Sequence, residues 1–325
     1  MKFLKYFSLI ILAVFLTTAC SEETFEEINV DPTQLSEVDM QLMLPEIQSQ
    51  FSFNKGATPG RMAGIIMQQY EGFDAQQVQY TTYIIGQDAF NNYWRFAMYT
   101  GVLRSCKVLM DKAAEEGATF YSGVAKVIMA SEYGLLTSFF GDIPYSQALL
   151  GTENLKPAYD KQEDVYKGVQ AMLDDAISDL GSGTGYAGGD LIFDGDADAW
   201  TKTAYALKAR YQMHLQKREG NAASTVLTLL GSAFTSLDEQ PNFTFGTGIG
   251  IDNWSLDQFG VERPQTLIMG QYFVDLMMDD PRRDLFMYTD GTTWFYHEVG
   301  NSGLVYAQSA ATIPMISYVE VNFLE

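Results

Sequence analysis

Cysteine and histidine are nearly absent from this chain, with two of each among 325 residues. Nucleophilic catalysis of the Ser-His-acid kind needs an imidazole beside the nucleophile. Only His214 and His297 could supply one, and no Gly-x-Ser-x-Gly elbow accompanies them. Transition-metal sites need clustered Cys and His. Cys20, Cys106, His214 and His297 are far apart in the sequence, so neither a metal nor any other cofactor is expected. Positive charge is also short: 20 Lys and Arg face 41 Asp and Glu, for a net charge of −21. Such a chain is repelled by phosphate backbones and anionic bilayer surfaces, which argues against a nucleic-acid partner. What is plentiful is apolar and aromatic material, 47% and 14% of residues. That is enough for a full core without disulfides.

The amino terminus has the order of an export signal. Lys2 and Lys5 precede an apolar run from Tyr6 to Leu16, then Thr17-Thr18-Ala19-Cys20. A run of that length reaches about 16 Å as a helix, about half of a bilayer core. It is therefore a signal and not a span. Small residues before a cysteine point to lipoprotein processing, with Cys20 acylated as the new first residue. Thr17 stands where such signals usually carry Leu, and Leu16 lies one place further out; a plain secretory signal is the alternative. The reading divides the chain into a lipoprotein signal over 1–19, a lipidated acidic spacer over 20–33 and a helical ligand-binding domain over 34–325. Cys106, in an apolar stretch with Leu103 and Leu109, reads as a small buried hydrophobe.

Helical periodicity dominates the body. Val165, Val169, Met172, Ala176 and Leu180 recur at steps of three and four. Asp160 and Glu163 hold capping-box spacing before them, and a glycine-rich stretch from Gly181 follows. Trp200, Ala204, Leu207, Tyr211 and Leu215 form a second stripe, with Asp198 as its expected cap. Further helices are expected over 34–52, 60–72, 88–116, 120–140, 221–234 and 265–278, paired by short loops. No repeat of fixed period is visible. Residues 241–312 read as long loops with short strands at Phe243-Thr244-Phe245 and Thr293-Trp294-Phe295-Tyr296. Pro314 suits a first helical turn, placing Met315, Val319 and Phe323 on one apolar face. The uncovered face leads to the expectation that the natural protein continues past Glu325.

Chemistry-bearing motifs are few. With 41 acids, carboxylate pairs such as Asp174-Asp175 carry no information about glycoside hydrolysis. Asp194-Gly195-Asp196-Ala197-Asp198 alternates carboxylates but lacks the closing Glu of a calcium loop, since Tyr205 holds that place. It reads as a capped turn. The glycines from Gly246 to Gly250 lack the lysine and the strand-to-helix context of a nucleotide loop. Aromatic side chains amid amides are the positive signal, because sugar rings stack on them while hydroxyls need polar partners. Tyr80, Tyr83, Trp94, Trp254, Trp294 and Tyr296 are the candidate ligand contacts, with Trp94 equally readable as core of its helix.

Several stretches share one resemblance. They are Asn29-Val30-Asp31-Pro32-Thr33; Phe139-Phe140-Gly141-Asp142-Ile143-Pro144-Tyr145-Ser146-Gln147-Ala148; Pro157-Ala158-Tyr159-Asp160; Asp194-Gly195-Asp196 ahead of Trp200; Asp280-Pro281-Arg282; and Tyr318-Val319-Glu320-Val321-Asn322-Phe323-Leu324. In this order the chain is similar to the SusD/RagB-like outer-membrane lipoproteins, and to their shorter-motif subgroup. The resemblance implies a mainly α fold, a SusD-like superhelix of tetratricopeptide-like helix pairs with irregular loops and a few short strands. It implies a TonB-dependent, SusC-like outer-membrane transporter as partner, and a glycan or other nutrient as ligand. It makes the acidic stretch after Cys20 resemble a signal for display outside the outer membrane. Binding without catalysis is the expectation; a surface glycoside hydrolase and an adhesive or structural surface protein are the alternatives.

Overall fold

The computed structural model describes residues 38–325, apart from 249, 251, 298–303, 305 and 306. The expected signal, spacer and lipid anchor at Cys20 lie outside the described residues. Residues Met40–Glu325 form one unit. In chain order it contains α1 (Met40–Gly56), α2 (Thr58–Ile66), β1 (Tyr70–Gly72), α3 (Gln77–Thr81) and a π-helix (Tyr93–Val102). Next come α4 (Leu103–Glu116), α5 (Thr119–Phe140), α6 (Gln162–Ser182), α7 (Ala197–His214) and α8 (Ala222–Leu230). The remainder is β2 (Asn242–Thr244), α9 (Ser255–Glu262), β3 (Leu267–Met269), α10 (Gln271–Met277), α11 (Arg283–Phe286), β4 (Tyr288–Thr289), β5 (Trp294–Phe295), β6 (Thr312–Pro314) and α12 (Tyr318–Leu324). The fold is mainly α, as the periodicity requires.

Each of α4 to α8 packs on its neighbour in sequence, so the body is a run of helix pairs around one core. Helix α5 lies at its centre: Phe120, Val124, Ile128 and Leu136 are fully buried. A methyl at Gly134 would overlap the ring of Tyr211, so this glycine sets the approach of α5 and α7. Helix α6 buries Val165, Val169, Leu173, Ala176 and Leu180 and ends at Gly183 in the left-handed conformation, φ 52°. Met172, expected on that stripe, is only partly buried.

Local interactions shift several expected boundaries. Asp160 does not cap α6, whose N-cap is Lys161 without a side-chain bond. Asp160 turns back instead: its carboxylate accepts from the Tyr145 and Ser146 N–H groups at 2.9 and 2.8 Å and from the Ser146 hydroxyl at 2.6 Å. The neighbouring Asp142 accepts from Gln162 N–H at 3.0 Å. The two aspartates thereby lace 142–146 to the start of α6. The cap of α7 lies two residues before the expected one, because Asp196 and not Asp198 accepts from Ala199 N–H at 3.0 Å. The stretch 60–72 turns from helix to strand after Ile66, and 265–278 divides into β3 and α10. Over 88–116 the helix is interrupted at Gly101 (φ −94°, ψ −111°), and the turns before it are wound as a π-helix. Pro314 ends β6 opposite Asn242; α12 begins only at Tyr318, capped by Ser317.

Asp190 is the most heavily bonded of the buried acids described. Its carboxylate accepts from Gln48 Nε2, Trp200 Nε1 and the N–H groups of Ile192, Phe193 and Gly195. One side chain thus joins α1, the loop before α7, and α7 itself.

Burial alone would raise the Asp160 carboxyl, but the bonds from Ser146 and Tyr145 hold it below the ordinary carboxylate range. Asp160→Ala is expected to cost about 2 kcal/mol at neutral pH, by leaving two amides and a hydroxyl unpaired. Since the native carboxyl is depressed, the difference from wild type should shrink as pH falls below ~4. Urea unfolding at pH 7 and pH 3 measures both.

Candidate ligand-binding groove

Glycine, proline and short polar residues break 241–314 into pieces too short for a broad sheet. Among the described residues they form two-stranded antiparallel ribbons. β1 pairs with β3, Tyr70 opposite Met269; β2 with β6, Phe243 opposite Ile313; and β4 with β5, Tyr288 opposite Phe295. A lone two-stranded ribbon is at best marginally stable in water, so side-chain burial must hold these in place. A second apolar cluster supplies it, including Ile65, Phe245, Trp254, Met269, Met287 and Tyr296.

This cluster is seated on the end of α1. A methyl at Gly56 would overlap the Trp254 indole, and Ser255 Oγ donates to Phe53 O at 2.6 Å. Asp257, on α9, then gathers the loops: Asn253 Nδ2 and Ser309 Oγ donate to Oδ2 at 2.8 and 2.9 Å, and His297 Nε2 lies 2.9 Å from Oδ1.

Between the cluster and the segment 312–320 opens a groove of about 790 Å³, a volume suited to a ligand of several rings. Tyr70, Trp254, Phe273, Phe286 and Tyr296 contribute aromatic surface; Lys55, Gln69, Gln240, Arg282 and Glu320 contribute polar groups. Tyr70 and Tyr296 lie 5.3 Å apart by ring centroid, and Phe273 and Phe286 meet edge to face at 6.2 Å. Burial raises the Tyr70 hydroxyl to about 12 and lifts Tyr296 further, so both remain neutral donors.

The groove has a charged floor. Lys55 Nζ donates to the carbonyls of Pro314, at 3.1 Å, and Met315. Arg210 grips Glu320 with two bonds of 2.5 and 2.6 Å, tying α12 to α7. Burial lowers Lys55 to about 7, Arg210 adding to the effect while Glu132 and Glu320 oppose it. Glu132, 1% exposed, is raised to about 8 by burial, against the pull of Lys55. Glu132 Oε2 and Tyr93 Oη have no hydrogen-bond partner among the described residues.

The six sequence-chosen aromatics are distributed unequally. Trp254 (5% exposed) and Tyr296 (4%) line the groove together from within the second cluster. Tyr80 and Trp294 pack against the same cluster, partly buried, with Arg283 over the Trp294 ring at 5.6 Å. Trp94 packs against the helical core instead, edge to face with Phe140 at 5.0 Å and beside Tyr99 at 5.3 Å. Tyr83 is 56% exposed at a strained φ of 59°. Sequence reading missed Lys55, Tyr70, Phe273 and Phe286. Tyr70 and Phe273 fall in stretches read as helix, and Lys55 lies just past the expected end of its helix at 52.

Among the described residues, both histidines are engaged in other hydrogen bonds. His214 Nδ1 meets the Tyr166 hydroxyl at 3.0 Å, and burial lowers its pKa. His297 and Ser309 both bond to Asp257, which leaves the hydroxyl engaged with the carboxylate.

A family model described as "Starch-binding associating with outer membrane", SusD-like, matches residues 32–325. The chain belongs to the SusD-like family. Solved SusD-like structures share its fold. A SusD/RagB family protein from Bacteroides thetaiotaomicron superposes with a TM-score of 0.71 at 24% identity, covering 89% of this chain and 66% of that one. A putative outer-membrane protein from Bacteroides vulgatus, described as probably involved in nutrient binding, gives 0.72 at 19%, covering 88% and 68%. A chitin-binding SusD homolog from Flavobacterium johnsoniae gives 0.70 at 18%, covering 88% and 64%. The chain thus spans about two thirds of the length of these structures. No curated protein matches it.

The buried pair gives the SusD-like unit a characteristic pH response. Glu132 is raised, so the stability it contributes at low pH is lost as pH climbs from ~4.5 to about 8. Lys55 is lowered, so its contribution grows as pH climbs from about 7 towards ~10.5. Thermal melts should show Tm falling between pH 5 and 7. Glu132→Gln should remove most of that fall; an unchanged slope would contradict the assignment.

Proposed function

We propose that this chain is a cell-surface lipoprotein that captures an oligosaccharide and passes it, chemically unchanged, to a TonB-dependent outer-membrane transporter. The carrying observation is the groove of about 790 Å³, in which aromatic surface lies beside amides and charged groups. Rings offer stacking to the C–H faces of pyranoses, and the polar groups pair with hydroxyls. Family membership supports the same reading through the starch-binding, outer-membrane description of its model, as does the chitin-binding description of a structural relative. Attachment at the membrane is assigned to acylated Cys20, and no helix among the described residues is long and apolar enough to cross a bilayer.

A hydrolase would need an acid poised against a scissile bond with a second carboxylate about 5–9 Å away. The groove's carboxylate at Glu320 is already held by Arg210, which favours binding over turnover.

Titration calorimetry of the protein against starch- and chitin-derived oligosaccharides, with a peptide panel alongside, tests the proposal. Saturable binding of an oligosaccharide without release of shorter products is the expected result. Phe273→Ala, at a partly buried ring of the wall, should weaken it by about tenfold, ~1.4 kcal/mol. Turnover of the bound sugar, or binding confined to peptides, would overturn the reading.

A further inference from the structure

Trp254, which lines the groove, shares its other neighbour with a second recess. Phe245 sits 5.0 Å from the Trp254 ring and 4.9 Å from Phe243. Phe243 and Phe245 line a pocket of about 520 Å³ bounded by α1, the loop around Leu191, β2 and α9. We infer that this pocket is a separate binding site for one neutral or amino sugar unit and that it rejects uronic acids. The inference rests on the carbohydrate reading above and extends it to a place and a ligand class.

The chemistry of the lining makes the case. Phe53, Phe243 and Phe245 give apolar surface for the C–H face of a ring. The polar side chains around them offer mostly oxygen. Gln50 commits one amide N–H to Asn54 at 2.7 Å, and Gln258 commits one to Glu262 at 2.8 Å, which leaves each amide its carbonyl and one further N–H. Asp252 uses Oδ1 for the Gly248 N–H at 2.7 Å, which leaves Oδ2. The Ser49 hydroxyl makes no hydrogen bond among the described residues. Acceptors that outnumber donors beside phenyl rings fit a ligand rich in hydroxyls. Among the described residues no Lys, Arg or His lines the pocket, whereas the groove contains Lys55 and Arg282. A carboxylate entering the pocket would meet the carboxylate of Asp252 with no cation among the described lining residues to offset the repulsion. An ammonium would be welcomed there. The two recesses therefore differ in charge although they share one aromatic wall.

Saturation-transfer NMR and titration with methyl glucoside, glucosamine and glucuronate test this on the whole protein at neutral pH. Transfer to the first two and not to glucuronate is expected. Ser49→Trp, which fills the recess from the surface of α1, should weaken both binders by about tenfold or more. Asp252→Asn should reduce the preference for glucosamine over methyl glucoside by about 2- to 5-fold, keeping the Oδ1 bond to Gly248. Glucuronate binding as well as methyl glucoside, or Ser49→Trp leaving every monosaccharide unchanged, would overturn the inference. If Phe273→Ala abolishes oligosaccharide binding while Ser49→Trp alters nothing, this inference fails and the groove survives. If no saccharide of any length binds, both fail.

Discussion

The end of helix α1 carries the constraint on which the site depends. Gly56 has room for a hydrogen and no more, because the Trp254 indole lies where a side chain would stand. That contact, with the bond from Ser255 to the Phe53 carbonyl, couples two cores that have different origins. The helical core comes from long periodic segments that bury one stripe each. The second comes from short ribbons that could not persist alone and that cohere through aromatic burial. Helix α1 serves both: Leu44, Ile47 and Phe51 point into the first, and Phe53 packs against the second. The recesses exist because irregular chain is laid over a rigid helical face.

Hydrogen-bonded carboxylates do the fine positioning. Asp190 collects five donors from three elements, Asp257 collects three partners, and Asp160 and Asp142 fasten the turn ahead of α6. The buried Asp190 and Asp257 replace lost hydration with several fixed partners, which is how a buried acid becomes structural. Glu132 is the exception: it is buried too, yet its Oε2 has no hydrogen-bond partner among the described residues. The chain's strong acidity therefore has two components: a solvated exterior, and a few acids that serve as internal fasteners.

The helices were legible because apolar spacing encodes them directly: the stripes of α6 and α7 follow from residues 165–180 and 200–211. The order of motifs was legible as family resemblance, though their physical roles were not. Asp160 holds capping spacing yet binds backward to Tyr145 and Ser146, since the amides of a distant turn outcompete the local helix end. Pro314 could open a helix but is claimed by a strand partner, Asn242, 72 positions earlier. The candidate groove was half legible. Aromatics in polar company found Trp254 and Tyr296, which the fold brings together. The same rule chose Trp94, whose neighbours in space, Phe140 and Tyr99, belong to the helical core. Nothing in spacing marks Lys55 or Phe273, because a groove between loops is defined by long-range packing that no local period records.

Capture without chemistry at an aromatic groove is the central claim, and a crystal structure of the protein with a bound oligosaccharide addresses it most directly. The expected result is intact sugar rings lying against Tyr296 and Phe273, with polar contacts to Gln69 or Arg282. Sugar bound away from both recesses, on the surface of the helical body, or a cleaved product in the groove, would contradict it.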